Sequence, residues 1–423
     1  MRIVIVGYGP GGAAAAVSAR MFNSKAEIII ITAETYESHR KPGAAMALEF
    51  PDTGDLKIED WSFEALSKNR IEILSGTAVT GGDSKSKTLK LEDSKTLEFD
   101  KLILATGGIP AVPEIPGITL PGVHTIQTMA DTSEIGKQLS KMNSIVVVGA
   151  GFSGLETAER LISLGKEVHL VVRSRLMRKQ LEEPMSAELL SRLPDKLNVN
   201  TGVSPTALLG EKKAEGLLLD NEPLAADAVI FMTGVRPNTV LAESLGLQIG
   251  SLGGIVIDET MMTSINDIFA VGDCVEMKDP LTNEPILLPI ASVAARAGRQ
   301  AGVTAAGRSK IYDNLLRRLQ YDHIFNTDIV VIGHSSVSAN ALGVKTNIQY
   351  VEYPTEFAKV ALVTTEDGRL IGGQIIASRM GARLGYEILD RVERGAFLKD
   401  TPLLKPRHER LREYIESTFG PIR

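Results

Sequence analysis

Apolar residues fall in short continuous runs rather than in strict alternation. Arg2 to Val6, Glu27 to Thr32, Lys101 to Leu104, Ser144 to Val148 and Glu167 to Val172 are each rich in Ile, Val and Leu. Runs of this length and branching predict strands buried on both faces, as in a parallel sheet. Two of them break into glycine clusters and then into helical pattern. Gly7-Tyr8-Gly9-Pro10-Gly11-Gly12 leads into an alanine-rich segment, Ala13 to Met21; Gly149-Ala150-Gly151-Phe152-Ser153-Gly154 leads into a helix from Leu155 to Leu164, closed by Gly165. Towards the C-terminus the pattern predicts strands at Ile329 to Ile332 and Lys359 to Thr365, the run Gly372-Gly373-Gln374-Ile375-Ile376, and a helix around Leu384 to Arg394.

Strand, GxGxxG turn, helix and second strand thus occur twice, 142 residues apart. The order has a physical reason. The first glycine permits the tight turn, the second lets backbone approach a pyrophosphate, and the third lets the helix pack on the sheet while its N-terminus faces the anion. Two complete copies imply two dinucleotides bound at once. In the first copy the second strand ends beside Glu34, 22 residues after Gly12, where a carboxylate would grip ribose hydroxyls. A solvated turn residue is the alternative. In the second copy that place is Val172, followed by Arg173-Ser174-Arg175. Without an acid to repel it, a 2′-phosphate would find two guanidiniums there, so NADPH is the expected donor, with NADH if these arginines form only a surface loop.

Composition narrows the chemistry. At 423 residues the chain is long enough for about three domains. A formal charge of −6 offers no basic field for nucleic acid. One cysteine, Cys274, allows no internal disulfide, CxxC pair or thiolate metal cage, so no metal site is expected. No run reaches membrane-spanning length, and the leader-like N-terminus is better read as strand and phosphate loop, so a cytoplasmic protein is expected.

Further motifs complete the picture: Lys101 to Gly108 (KLILATGG) before Pro110, Pro113, Pro116 and Gly117; Phe231 to Asn238 (FMTGVRPN), as if crossing back; Asp267 to Cys274 (DIFAVGDC), whose aspartate could bind a polyol; and the LPIASVAARAGRQAG segment. Together these residues resemble the two-dinucleotide-binding flavoproteins of the pyridine nucleotide-disulfide oxidoreductase superfamily. The resemblance implies an α/β protein with two Rossmann-like domains, for FAD and NAD(P)H, and an α+β C-terminal interface domain. It implies a discontinuous FAD domain over 1–109 and 238–309, an NAD(P)H domain over 110–237, and a homodimerisation domain over 310–423, with a monomeric lid as the alternative for the last. On this basis FAD would be held by Gly7, Gly9, Pro10, Gly11, Gly12, Glu34, Lys41, Pro42, Val79, Ala105, Thr106, Gly107, Gly272, Asp273 and Ala291. The nicotinamide dinucleotide would be held by Gly149, Gly151, Phe152, Ser153, Gly154, Arg173, Arg175 and Gly234.

One departure selects the branch. Disulfide reductases of the superfamily place a redox cysteine near residue 42, yet the segment Tyr36 to Met46 contains none. A thiolate attack on a disulfide needs that sulfur. The Lys41-Pro42 pair resembles instead the cysteine-free ferredoxin and rubredoxin reductases and NAD(P)H oxidases, in which a proline lies beside the isoalloxazine and a cation can tune it. Catalytic expectations are therefore Lys41, Pro42 and Glu156, the last near the nicotinamide in related reductases. The expected activity is hydride transfer from nicotinamide to flavin and then electron transfer to a separate acceptor, such as a small redox carrier protein; Arg407, Arg410 and Arg412 could steer an acidic one, with a solvated helix face as the more usual role of such a charge run. The alternatives are an oxidase making hydrogen peroxide and a flavin-based redox sensor.

Overall fold

The computed structural model describes residues 1–39, 41–49, 58–309, 318–353 and 358–400. They form two compact units, one within residues 1–173 and 196–309, the other within 174–195 and 318–400. The larger unit contains two five-stranded parallel sheets. The first runs Ile268–Ala270, Lys101–Leu104, Arg2–Val6, Glu27–Thr32, Ile71–Ser75. The second runs Val123–Thr125, Ala228–Phe231, Ser144–Val148, Glu167–Val172, Leu197–Thr201. In both, the strand feeding the glycine loop is central, with the next strand of its own copy on one side. The central strands are sealed: Ile3, Ile5, Val146 and Val147 are all 0 % exposed. Burial on both faces is what the continuous apolar runs encode.

Both glycine-loop helices begin three residues earlier than their apolar pattern suggests, at Pro10 and Phe152. Proline suits a first-turn position, whose N–H has no partner in the helix. The first helix, Pro10–Phe22, crosses the late helix Ala291–Ala305 with the backbones nearly touching. A Cβ on Gly298 would stand 2.1 Å from the Gly11 carbonyl oxygen, and one on Gly302 2.3 Å from that of Ala15. The small-residue character of both segments is the means of that approach. At the far end of Pro10–Phe22, Arg20 gathers carbonyls from two connections, donating to Asn23, Ser24 and Ala26 and to Asn69 and Arg70 over 2.7 to 3.3 Å.

Each sheet carries a small antiparallel meander, Val79–Asp83 to Glu98 in one case and Pro205–Leu209 to Ala225 in the other. Two short strands, Gly108–Pro110 and Val235–Pro237, pair antiparallel where the chain leaves the first sheet and returns.

The smaller unit is an antiparallel sheet ordered Leu319–Ile324, Thr327–Gly333, Leu370–Ala377, Ala358–Thr365, Thr346–Tyr353. The helix Gly381–Glu393 buries Leu384, Ile388 and Leu389 against Val330, Val360 and Ile375. Gln374 points to the opposite face, since side chains alternate along a strand. There it meets residues 174–195, an excursion from the second parallel sheet that the sequence boundaries do not anticipate. Leu181 and Met185 are fully buried in this excursion. The Glu182 carboxylate accepts from Gln374 Nε2 at 3.0 Å and from the Ser336 N–H and Oγ at 2.8 and 2.6 Å.

Candidate active site

In a parallel sheet, residues following each strand gather on one edge, and ligands bind outside the carboxyl ends. The first sheet collects there Gly7, Glu34, the turn Ala105 to Gly107, and Gly272 with Asp273, each just past its strand. Val79 joins them after Ile71–Ser75, because the Thr77 N–H reaches back 2.9 Å to the Thr32 carbonyl. Ala291 opens the helix that crosses the phosphate-loop helix. The turn at Thr106 is braced by its hydroxyl on the Asn238 carbonyl at 2.7 Å and by the Asn238 N–H on Gly107 at 3.0 Å.

The two glycine loops are duplicates in detail. Gly7 and Gly149 have φ of +111° and +110°, a region that side chains rarely enter. Gly9 and Gly151 cap their helices in extended conformation with no side chain on the first-turn amides. A Cβ on Gly12 would lie 2.0 Å from the Gly7 carbonyl oxygen, and one on Gly154 1.9 Å from that of Gly149. A Cβ on Gly151, by contrast, would meet nothing within 4 Å. Each loop is therefore shaped to bring uncapped amides up to an anion, and the residues present fit a dinucleotide pyrophosphate at both places.

The second sheet gathers Gly149, Arg173 and Gly234 on its carboxyl edge. Phe152 and Ser153 open its helix, which carries Glu156 at 6 % exposure. Arg173 is exposed, whereas Arg175 is half-buried and donates to the Leu181 carbonyl. Lys41 and Pro42 begin a 3₁₀ helix, Lys41–Leu48. Their side chains lie outside the described residues, as do Arg407, Arg410 and Arg412. Just past the place near residue 42 where a redox cysteine would be expected, Ala44 and Ala45 are each 3 % exposed. Cys274 is 0 % exposed, with its sulfur 3.2 Å from the Val271 carbonyl, and burial pushes its thiol up. It is held as the unreactive thiol.

Two features carry no legible motif. Tyr8, inside the first glycine loop, stacks on Phe63 with centroids 5.6 Å apart and donates its hydroxyl to the Trp61 carbonyl. Burial and the charge of Glu37 raise its phenol above the ordinary range. Arg160 pairs with Glu49 across 111 residues of sequence, a separation at which local pattern is silent. Among the described residues, no group of three or more His, Cys, Asp and Glu side chains could hold a metal, and no helix is long and apolar enough to cross a membrane.

Comparison with known proteins agrees with this geometry. Residues 1–301 match the family described as pyridine nucleotide-disulphide oxidoreductase. The chain is 32 % identical over 416 residues to an NADH oxidase of Methanocaldococcus jannaschii, covering 93 % of this chain and 90 % of that one. It resembles the structure of an NAD-dependent persulfide reductase from A. fulgidus with a TM-score of 0.88 and 26 % identity, over 99 % of this chain and 84 % of that one. It also resembles putidaredoxin reductase in its covalent complex with putidaredoxin, with a TM-score of 0.80 and 26 % identity, over 92 % and 93 % of the two chains. With two dinucleotide loops on two parallel sheets, the chain belongs to the pyridine nucleotide-disulphide oxidoreductase family, as an FAD-dependent oxidoreductase of nicotinamide dinucleotides.

Proposed function

We propose that the protein takes electrons from NADPH and passes them, without a thiol step, to a small redox carrier protein. The observation that carries this is a pair of duplicate phosphate loops in a chain whose one cysteine is buried beyond reach. When bound, FAD would accept hydride from the nicotinamide and release electrons to the acceptor. The residues supply binding, orientation and exclusion of water. Gly7, Gly9, Pro10, Gly11 and Gly12 receive the first pyrophosphate, Glu34 the adenosine ribose, and Asp273 the ribitol, with Ala105 to Gly107 and Val79 along the same edge. Gly149 to Gly154 receive the second pyrophosphate. The exposed Arg173 and the absence of an acid at Val172 favour a 2′-phosphate. Lys41, whose side chain lies outside the described residues, would supply positive charge to the bound flavin.

Direct oxidation by oxygen, giving hydrogen peroxide, is the second reading, favoured by the similarity to the archaeal NADH oxidase. The smaller unit is proposed to form a homodimer. Its edge strand, Thr346–Tyr353, leaves Ile348 and Tyr350 exposed on one face at 36 % and 40 %. One cysteine without an internal partner suits a reducing cytoplasm.

The test is anaerobic mixing of the flavin-loaded protein with NADPH and, separately, NADH. Rapid bleaching of the visible band by NADPH, with no long-wavelength thiolate band, is expected; failure with both nucleotides removes the assignment. Glu156→Ala is expected to slow that bleaching at least tenfold with flavin content unchanged, which stopped-flow absorbance reads directly. Equal rates would end the role of Glu156.

A further inference from the structure

The second glycine-loop helix, Phe152–Ser163, does more than offer its N-terminus. Glu156 and Arg160 are four residues apart and share a face. From that face Arg160 Nη1 reaches Glu49 Oε2 at 3.1 Å, and Nη2 lies 3.3 Å from Glu159 Oε2. The Arg160 and Glu49 side chains are only 22 % and 23 % exposed, so water screens the pair incompletely. Glu49 closes the Lys41–Leu48 helix, its N–H donating to the Met46 carbonyl at 3.1 Å. The same helix is gripped midway by the Thr132 hydroxyl, which donates to the Ala44 carbonyl at 3.2 Å, and by packing of Ala44 and Ala47 on Met129.

A 3₁₀ segment of eight residues is long for its kind, because its hydrogen bonds are poorly directed. It needs outside restraint to keep one position. Here the restraint comes from the helix that carries Glu156 and the second phosphate loop. We propose that Arg160 is a positioning residue: through Glu49 it holds the Lys41–Leu48 helix in register with the nicotinamide-side helix, and so sets the approach of the nicotinamide to the flavin. This rests on the assignment of the Lys41 segment to the flavin and of the second loop to the nicotinamide dinucleotide. An error of about 1 Å in such an approach can cost on the order of a hundredfold in rate. Binding of either dinucleotide depends on its own loop and should be spared.

The full flavin-loaded chain is compared as wild type, Arg160→Ala, Arg160→Lys and Glu49→Gln under anaerobic mixing with increasing NADPH, carrying hydrogen or deuterium at both C4 positions. Arg160→Ala and Glu49→Gln should lower the limiting rate of flavin reduction about tenfold and enlarge the isotope effect. The half-saturating NADPH concentration should stay within about twofold of wild type, and Arg160→Lys should recover part of the rate. Amide hydrogen exchange over residues 41–49 should quicken about tenfold in Arg160→Ala, with no change over the strand Ser144–Val148. If Arg160→Ala does not fold, Glu49→Gln, which keeps side-chain volume, carries the same comparison. Wild-type limiting rate, isotope effect and exchange in a folded variant overturn the positioning role, and so does a loss confined to half-saturating NADPH. A wild-type protein that NADPH does not reduce overturns the functional assignment instead, and the exchange rates then decide whether Arg160 holds this helix.

Discussion

Gly154→Ala is expected to yield a protein that retains its FAD and is not reduced by NADPH, whereas Gly12→Ala is expected to lose FAD. The two positions are sterically equivalent. The added methyl would stand 1.9 Å from the Gly149 carbonyl oxygen in one case and 2.0 Å from the Gly7 carbonyl oxygen in the other. Backbone cannot move aside like the end of a side chain, so the helix must shift off its sheet. Overpacking of this kind costs about 3 kcal/mol. The shift also carries the helix N-terminus away from the phosphates it would bind. Gly151→Ala is the control, because its φ of −80° suits alanine and its methyl meets no protein atom within 4 Å. Any loss there reports the nearness of the nucleotide rather than damage to the fold. Flavin content from absorbance ratios and reduction by stopped flow decide the matter. A Gly12→Ala protein with full flavin, or a Gly154→Ala protein reduced at the wild-type rate, would refute the division of labour between the loops.

The largest purely structural effect is expected at Arg20. Its guanidinium serves five backbone carbonyls, those of Asn23, Ser24 and Ala26 after the first helix and those of Asn69 and Arg70 before the strand Ile71–Ser75. Burial and the neighbouring charge of Arg70 lower its pKa. Removing the side chain strands several acceptors at once. Hydrogen bonds to a charged group are each worth about 1.5–3 kcal/mol, and the part-exposed site keeps some water, so Arg20→Ala should cost about 3 kcal/mol. Arg20→Lys should recover less than half, since an ammonium is a compact point donor and cannot span both connections. Urea denaturation with far-ultraviolet circular dichroism measures both. A change below about 0.5 kcal/mol in Arg20→Ala would show that water replaces the guanidinium without loss.

Much of the proposed site is legible because a loop suited to phosphate is built from backbone. Gly7, Gly12, Gly149 and Gly154 are each required where no side chain fits, and that requirement is written directly in residue type. Glu34, Asp273 and the Thr106 turn are legible for a related reason: each follows a recognisable strand, and a parallel sheet brings all strand ends to one edge. Arg20 and Tyr8 are not legible, because their partners are carbonyl oxygens, which every residue possesses. The pairing of Arg160 with Glu49 is equally hidden, since an isolated Glu after an alanine-rich segment carries no sign of a partner 111 residues away.

By itself the sequence determined the local order of strand, glycine turn, helix and strand, because β-branched runs, glycine and alanine fix backbone conformation over a few residues. It determined too that chemistry needing two thiols in one chain is closed, since one cysteine cannot make a pair, and that the segment Tyr36 to Met46 holds no cysteine for a thiolate attack. Only the tertiary structure decided which distant segments share a surface: the crossing of the two small-residue helices, the excursion of residues 174–195 to the antiparallel sheet, and the pairing of Arg160 with Glu49. These depend on the summed packing of whole layers, a quantity that no short window of residues contains.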